Sequence, residues 1–407
     1  ARLAPVETGD ESAFCRAAPT DFTAPPPPRY NADRMTDRPE QLKTVPGPPR
    51  LALVAGPGTM GDLARTLGHL AVGLLDEPMD LTVVAPDPDD ASWAPAPPAA
   101  VLAYRPGRLR SFDRRAVRSL AGRLARRRVE ILHALDARAH RLTRALSLVG
   151  DWPYLVSVHD LRSCHRLGDL GPRGLAVIAA SDALRESLLA ARAAPPDRVH
   201  LVRPGVHVAP GPPCLADPAH CAAIVAAGAM TEAGPFETVL DAFAAVRAGG
   251  VPCCLFVLGG GRAETRLRRR VASMKLAHDV TFVDVGLQRS LAGVFDAADM
   301  LICPRSSGRM EMRVLEAMAA GAAVLVGGPC VGDFVIDGQT VLRYNPASPA
   351  DLTAKLKTLL THPADAVALG GQAREHVRRH HSPARMVASL AALYRDWALR
   401  GRTLKVS

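Results

Sequence analysis

From Arg50 onward the chain alternates short apolar runs with helical stretches, and that alternation restricts it to one class of fold. Leu51–Ala55, Leu81–Ala85, Glu130–His133, Tyr154–Val158, Leu175–Ala180 and Val199–Val202 are nearly continuous apolar runs rather than alternating ones. Strands of that kind are buried on both faces, as in a parallel sheet covered by helices. A parallel pair also needs a crossover, which the helical stretches between the runs supply. A Pro-rich break at Ala209–Pro218 precedes a second series: Ala222–Ala226, Cys254–Leu258, Val280–Val283, Met300–Cys303, Ala322–Val326 and Thr340–Tyr344. The expected fold is α/β, with two doubly wound Rossmann-like domains facing each other across a cleft. Residues 1–48, with PPPP and PGPP and no periodicity, read as a disordered leader. The first domain is expected at 50–208, a linker at 209–221, the second domain at 222–380, and a helix crossing back to the first domain at 381–407. Ser181 is the expected N-cap of a helix Ala183–Ala194, and Ser382 of the last helix.

Composition narrows the functional classes. At 407 residues and 48% hydrophobic content, the chain can build two ordinary cores. No apolar run has the length of a membrane-spanning helix, and no signal-peptide pattern opens the sequence, so a cytoplasmic protein is expected. Eight cysteines at irregular spacing, without C-x-x-C, read as reduced thiols. Cys214, His220 and Cys221 lack a fourth ligand at proper spacing, and neither a metal nor a cofactor is expected. The net charge of +10 owes much to the arginines between Arg105 and Arg128. On a helix over 112–128, Val117, Leu120, Ala121 and Leu124 form one apolar stripe, and arginines occupy the rest. Two readings stay open for that face: a solvated surface, or peripheral contact with anionic lipid on the inner side of a membrane. Nucleic acid is excluded as a partner, because aromatics make up 4% and none interleaves with these arginines.

Two segments carry candidate chemistry. Gly56-Pro57-Gly58-Thr59-Met60-Gly61 is a G-x-G-x-x-G after a strand and before a helix, where small residues let backbone amides approach a phosphate. Pro57 removes one of those amides, so a glycine-rich turn at the mouth of a cleft and a purely structural turn compete with a dinucleotide site. The second segment runs from Met300 to Gly328. A strand ends at Cys303-Pro304, an Arg-containing loop follows, and a helix carrying Glu316 closes at Gly321 before another strand. Such a unit puts a carboxylate at the carboxyl edge of a parallel sheet, where open α/β folds bind ligands.

This second segment resembles the donor-site signature of family 4 glycosyltransferases, roughly P-S-x-x-E-x7-E-A-M-A-x-G, with Pro304, Glu316-Ala317-Met318-Ala319 and Gly321 matching. In chain order, VEILHALDARAH, YLVSVHDL, VIAASDALRESL, LVRPGVHV, AAGAMTEAGPFETVLDAF and LFVLGGGRAETRLRR resemble the other segments of that family. The resemblance implies a retaining, metal-independent transfer of sugar from a nucleotide-sugar donor to an acceptor held by the first domain. It implies that Glu316 holds the ribose and that His159 contacts the donor sugar near the diphosphate. Gly228 and the Gly259, Gly260 and Gly261 loop would approach the nucleotide. His133, also at a strand end, reads as structural. Three positions depart from the pattern. Gly308 stands where the first Glu is usual, and Ala229 and Ala233 stand where an Arg and a Lys neutralise the leaving group. Arg262, Arg305, Arg309 and Arg313 are candidate replacements for the lost charge, and Glu311 for the lost carboxylate. Two alternatives remain: a catalytically silent relative that binds or regulates, and an NAD-dependent oxidoreductase using the Gly56–Gly61 loop.

Overall fold

The computed structural model describes residues 47–56, 60–86, 99–105, 114–208, 220–283, 292–306 and 308–403. Residues 1–46 of the Pro-rich leader, Gly58 and residues 209–219 of the expected linker lie outside the described residues.

Among the described residues, two parallel sheets carry the architecture. The first has the order β3-β2-β1-β4-β5-β6-β7. Its strands are β1 (Arg50–Val54), β2 (Asp80–Ala85), β3 (Ala100–Ala103), β4 (Ile131–Ala134), β5 (Tyr154–Val158), β6 (Gly174–Ala179) and β7 (Val199–Leu201). Helices α1 (Met60–Leu75), α2 (Arg114–Arg126), α3 (Ala137–Gly150), α4 (Leu161–Arg166) and α5 (Asp182–Ala190) make the crossovers. The second sheet has the order β10-β9-β8-β11-β12-β13. It is built from β8 (Ala222–Ala227), β9 (Cys253–Leu258), β10 (Val280–Val283), β11 (Met300–Cys303), β12 (Ala323–Gly327) and β13 (Leu342–Tyr344). Here the helices are α6 (Gly234–Ala248), α7 (Glu264–Ser273), α8 (Ala292–Asp296), α9 (Met312–Ala320), α10 (Pro349–Thr361) and α11 (Pro363–His380), and α12 (Pro383–Thr403) ends the chain. In each sheet the order reverses beside the first strand, the arrangement that leaves a crevice at the carboxyl ends.

The expected α/β class holds, with corrections in detail. The sequence reading missed β3, a sheet-edge strand with one fully buried residue, Leu102. The helix expected over Ala183–Ala194 ends at Ala190, since Arg192 turns left-handed (φ 49°) and Pro195 and Pro196 follow. Ser181 caps it as expected, its hydroxyl accepting from the Leu184 amide at 3.3 Å. Asp136 caps α3 and Asp160 caps α4 in the same way.

The basic helix is α2. Val117, Leu120, Ala121 and Leu124 are buried, whereas Arg114, Arg115, Arg118 and Arg126 are exposed. The last helix, α12, packs on the first domain. Tyr394 reaches His133 in β4, Val387 lies where an added Cβ on Gly73 would meet it at 2.5 Å, and Arg395 pairs with Glu77. No described helix is long and apolar enough to cross a membrane.

Candidate functional site

Three loops of the second sheet meet at its carboxyl edge. The β8–α6 loop and the β9–α7 loop are joined backbone to backbone: the Gly228 amide donates to the Leu258 carbonyl (3.1 Å), Met230 to Gly260 (3.0 Å) and Ala263 to Met230 (2.9 Å). This contact explains two of the three glycines. Gly259 and Gly261 have φ of 148° and 150°, and an added Cβ would stand 2.0 Å from the Gly228 carbonyl oxygen and 2.5 Å from that of Met230. Gly260 is exposed, with open space where its Cβ would be.

The cations cluster on the same loops. Arg262 donates Nε to the Thr231 carbonyl at 2.8 Å, and Arg305 pairs with Glu232. Both partners of the second pair are about half exposed, so the pairing is weak and open to exchange for an anion. Ala229 is exposed and Ala233 half-buried beside them.

The third loop, between β11 and α9, ties the two domains together. The Met310 amide donates to the His159 carbonyl (2.9 Å) and the Leu161 amide to the Gly308 carbonyl (3.0 Å), forming an isolated antiparallel bridge between Asp160 and Arg309. The carboxyl edges of both sheets therefore face one another. Arg309 is exposed, and its charge reaches His159.

His159 is held by its Nε2, 3.1 Å from the Leu135 carbonyl oxygen. A carbonyl only accepts, so Nε2 carries the proton in the neutral ring, an assignment made from the hydrogen-bond network. Nδ1 is buried with no hydrogen-bond partner. Burial lowers the ring's pKa, Asp136, the Leu135 carbonyl and Asp160 oppose that, and Arg309 adds to it. The open atom is thus an acceptor. The N–H is already used by the Leu135 carbonyl.

Glu316 is buried (8% exposed) in the second turn of α9. Glu311 immediately precedes that helix without capping it. It is half-buried; burial raises the pKa of the Cys303 and Cys330 thiols, and the Glu311 charge adds to that. Gly56 is fixed by packing: an added Cβ would meet the Ala139 amide nitrogen at 2.8 Å and the Asp136 carboxylate at 2.9 Å. His133 is structural, with Nδ1 2.6 Å from the Tyr394 hydroxyl and Nε2 2.8 Å from that of Ser157. His220 sits 2.7 Å from Asp299, and no cluster of three metal-ligating side chains occurs among the described residues. Sequence reasoning did not anticipate the Asp160–Arg309 bridge, for which no local signal exists.

Two family profiles match the chain. Glycosyltransferase Family 4 covers residues 63–209 and Glycosyl transferases group 1 covers 222–362. Among curated relatives, D-inositol 3-phosphate glycosyltransferase of Gordonia bronchialis is 29% identical over 153 residues, 35% of this chain and 33% of the relative. The enzyme of that name from Corynebacterium glutamicum is 26% identical over 223 residues, 50% of this chain and 53% of the relative. The matches thus span a third to about half the length of these relatives. A glycosyltransferase structure from Rickettsia africae superposes with a TM-score of 0.68 at 14% identity, over 86% of this chain and 98% of that one. Anabaena HepE in complex with UDP-glucose gives 0.68 at 14% identity, over 85% and 99%. With one profile on each sheet and the two-domain fold shared, the chain belongs to the family 4, group 1 glycosyltransferases.

Proposed function

We propose that this protein is a retaining, metal-independent glycosyltransferase that moves a sugar from a nucleotide-sugar donor to an acceptor on the first domain. The reading is carried by Arg262 and Arg305, held against the neighbouring residues Thr231 and Glu232, and by the bridge that brings Arg309 to the His159 loop, with the buried Glu316 in the helix that follows. A carboxylate accepts from both hydroxyls of a vicinal diol, as a ribose presents them. The exposed Gly260 lets the nucleotide approach the backbone. Arg262, Arg305 and Arg309 take over the leaving diphosphate's charge from the cations missing at Ala229 and Ala233, positions where fixed charge counts most in the transition state. Neutral His159 accepts a sugar hydroxyl at Nδ1. The curated relatives are named for inositol 3-phosphate, and the exposed Arg138 at the start of α3 supports a phosphorylated polyol as acceptor here. The exposed arginines of α2 favour an anionic acceptor or a lipid surface nearby.

A thermal-shift panel of UDP, GDP, ADP and dTDP with their sugar conjugates tests donor binding, because a ligand that binds only the folded state raises the melting temperature. One nucleoside diphosphate is expected to stabilise the protein, and Glu316→Gln to weaken its binding by on the order of 10- to 100-fold, as for the loss of one hydrogen bond to a charged group. Product anomeric configuration, read by NMR, tests retention. The exposed Ala229 favours a second reading, a silent relative that binds without transfer. Stabilisation by a nucleotide without turnover of any donor would select it, and silence across the panel would sink the donor site altogether.

A further inference from the structure

Position 308 is where the family resemblance implies a catalytic-site carboxylate, and the structure gives the glycine there a different task. Gly308 has φ of 71°, a left-handed conformation that L side chains rarely adopt. Its amide donates to the Pro329 carbonyl (3.3 Å) and its carbonyl accepts from the Leu161 amide (3.0 Å). An added Cβ would stand 3.2 Å from Leu161 Cδ1, closer than ordinary van der Waals contact. Two residues on, the Met310 amide closes the bridge to His159. Behind the bridge, the Cys330 thiol faces the Arg309 carbonyl at 3.8 Å. The bridge thus runs from the loop after β5 to the loop before α9, and residue 308 is its tightest point.

We propose that Gly308 is a positioning residue whose missing side chain lets residues 308–310 latch onto residues 159–161, registering the two domains so that Arg309 stands beside His159. A glutamate at this position breaks the latch instead of repairing a lost site. The catalytic consequence rests on the proposed transferase reading; the latch itself does not.

Two measurements on the full chain separate these. Amide hydrogen exchange at Leu161 and Met310 reports the latch without any ligand. Both amides are expected to be protected in the wild type, and to lose that protection in Gly308→Glu while the strand amides of β5 and β11 keep theirs. Exposed Leu161 and Met310 amides in the wild type overturn the latch whatever the protein's activity. Under the donor conditions found by the nucleotide panel, Gly308→Glu should lower kcat by on the order of 100-fold, as for a displacement of about 1 Å in the reacting geometry. Nucleotide binding through Glu316 should change much less. Gly308→Ala combined with Leu161→Ala removes the opposing Cδ1 and should recover part of the kcat that Gly308→Ala alone loses, a rescue that general destabilisation does not give. Increased transfer by Gly308→Glu with both amides still protected would overturn the proposal, leaving position 308 as a vacated carboxylate site. A wild type that binds no nucleotide would remove the transferase reading, with amide protection still judging the latch.

Discussion

His133 lies in β4 and His159 follows β5, the neighbouring strand, yet their surroundings assign them different work. Both ring nitrogens of His133 are engaged within the core, whereas His159 keeps Nδ1 open. In the sequence both are simply histidines at the ends of apolar runs. What distinguishes them is Tyr394, 261 positions away, which no local pattern connects to β4. Glu316 shows the opposite case: its place on a helix after an Arg-containing loop was legible, but its burial depends on how α9 packs against α11 and β11. Buried histidines also set the acid stability. Burial lowers His133 to about 3, and His140 and His381 to about 4. Each is neutral when folded and takes up a proton near pH 6.5 when unfolded, so its contribution is fully present above 6.5 and is lost as pH falls towards 4 and 3. By pH 5 each costs about 2 kcal/mol, and three such groups rival a typical whole stability. The urea midpoint should therefore fall steeply between pH 6.5 and 5; a flat profile across that window would rule this account out.

At the scale of elements, the parallel strands were legible because burial on both faces leaves an unbroken apolar run, as in β8 and β11. Ends were less so, since they depend on single backbone angles such as that of Arg192. The loops were least legible. Gly259, Gly261 and Gly308 each lie against another backbone or Leu161, a constraint that no local pattern signals. Helix α11 shows how far identical residues diverge. An added Cβ on Gly370 would stand 2.0 Å from the Gly321 carbonyl oxygen, while Gly371 has open space. Gly321 is the left-handed cap that ends α9, so Gly370 lets α11 pack directly against the stop of the Glu316 helix. Gly371→Ala should stabilise the protein by about 0.5–1 kcal/mol through helix propensity. Gly370→Ala should cost about 1–3 kcal/mol from overpacking, and should also weaken nucleotide binding through α9. Denaturant midpoints that moved in the same direction for both variants would contradict the contact.

For the whole molecule, the question is whether the two sheets fold as one. Other ties join them besides the Asp160–Arg309 bridge. Arg203, after β7, donates Nε to Asp333 at 2.8 Å, and the Asp182 amide donates to the same carboxylate at 2.9 Å. Helix α12 is another: it leaves α11 at His381, whose Nδ1 meets the Pro204 carbonyl at 3.0 Å, and then packs Val387, Leu390 and Tyr394 into the first domain. One apolar cluster runs from Leu53 in β1 through α12 to Val314 and Met318 in α9 and Val377 in α11, whereas the far face of the second sheet has its own. A shared core of this kind couples the unfolding of both sheets. Tyr394→Phe isolates the coupling, because it leaves packing intact and strips the buried His133 Nδ1 of its partner, costing about 1–3 kcal/mol. Calorimetry of the wild type should give a single endotherm, which the variant shifts downward as a whole. Two endotherms, with only one displaced by Tyr394→Phe, would mean that the sheets melt separately. The loops from β5 and β11 would then be held in register by the bridge and the Arg203–Asp333 pair.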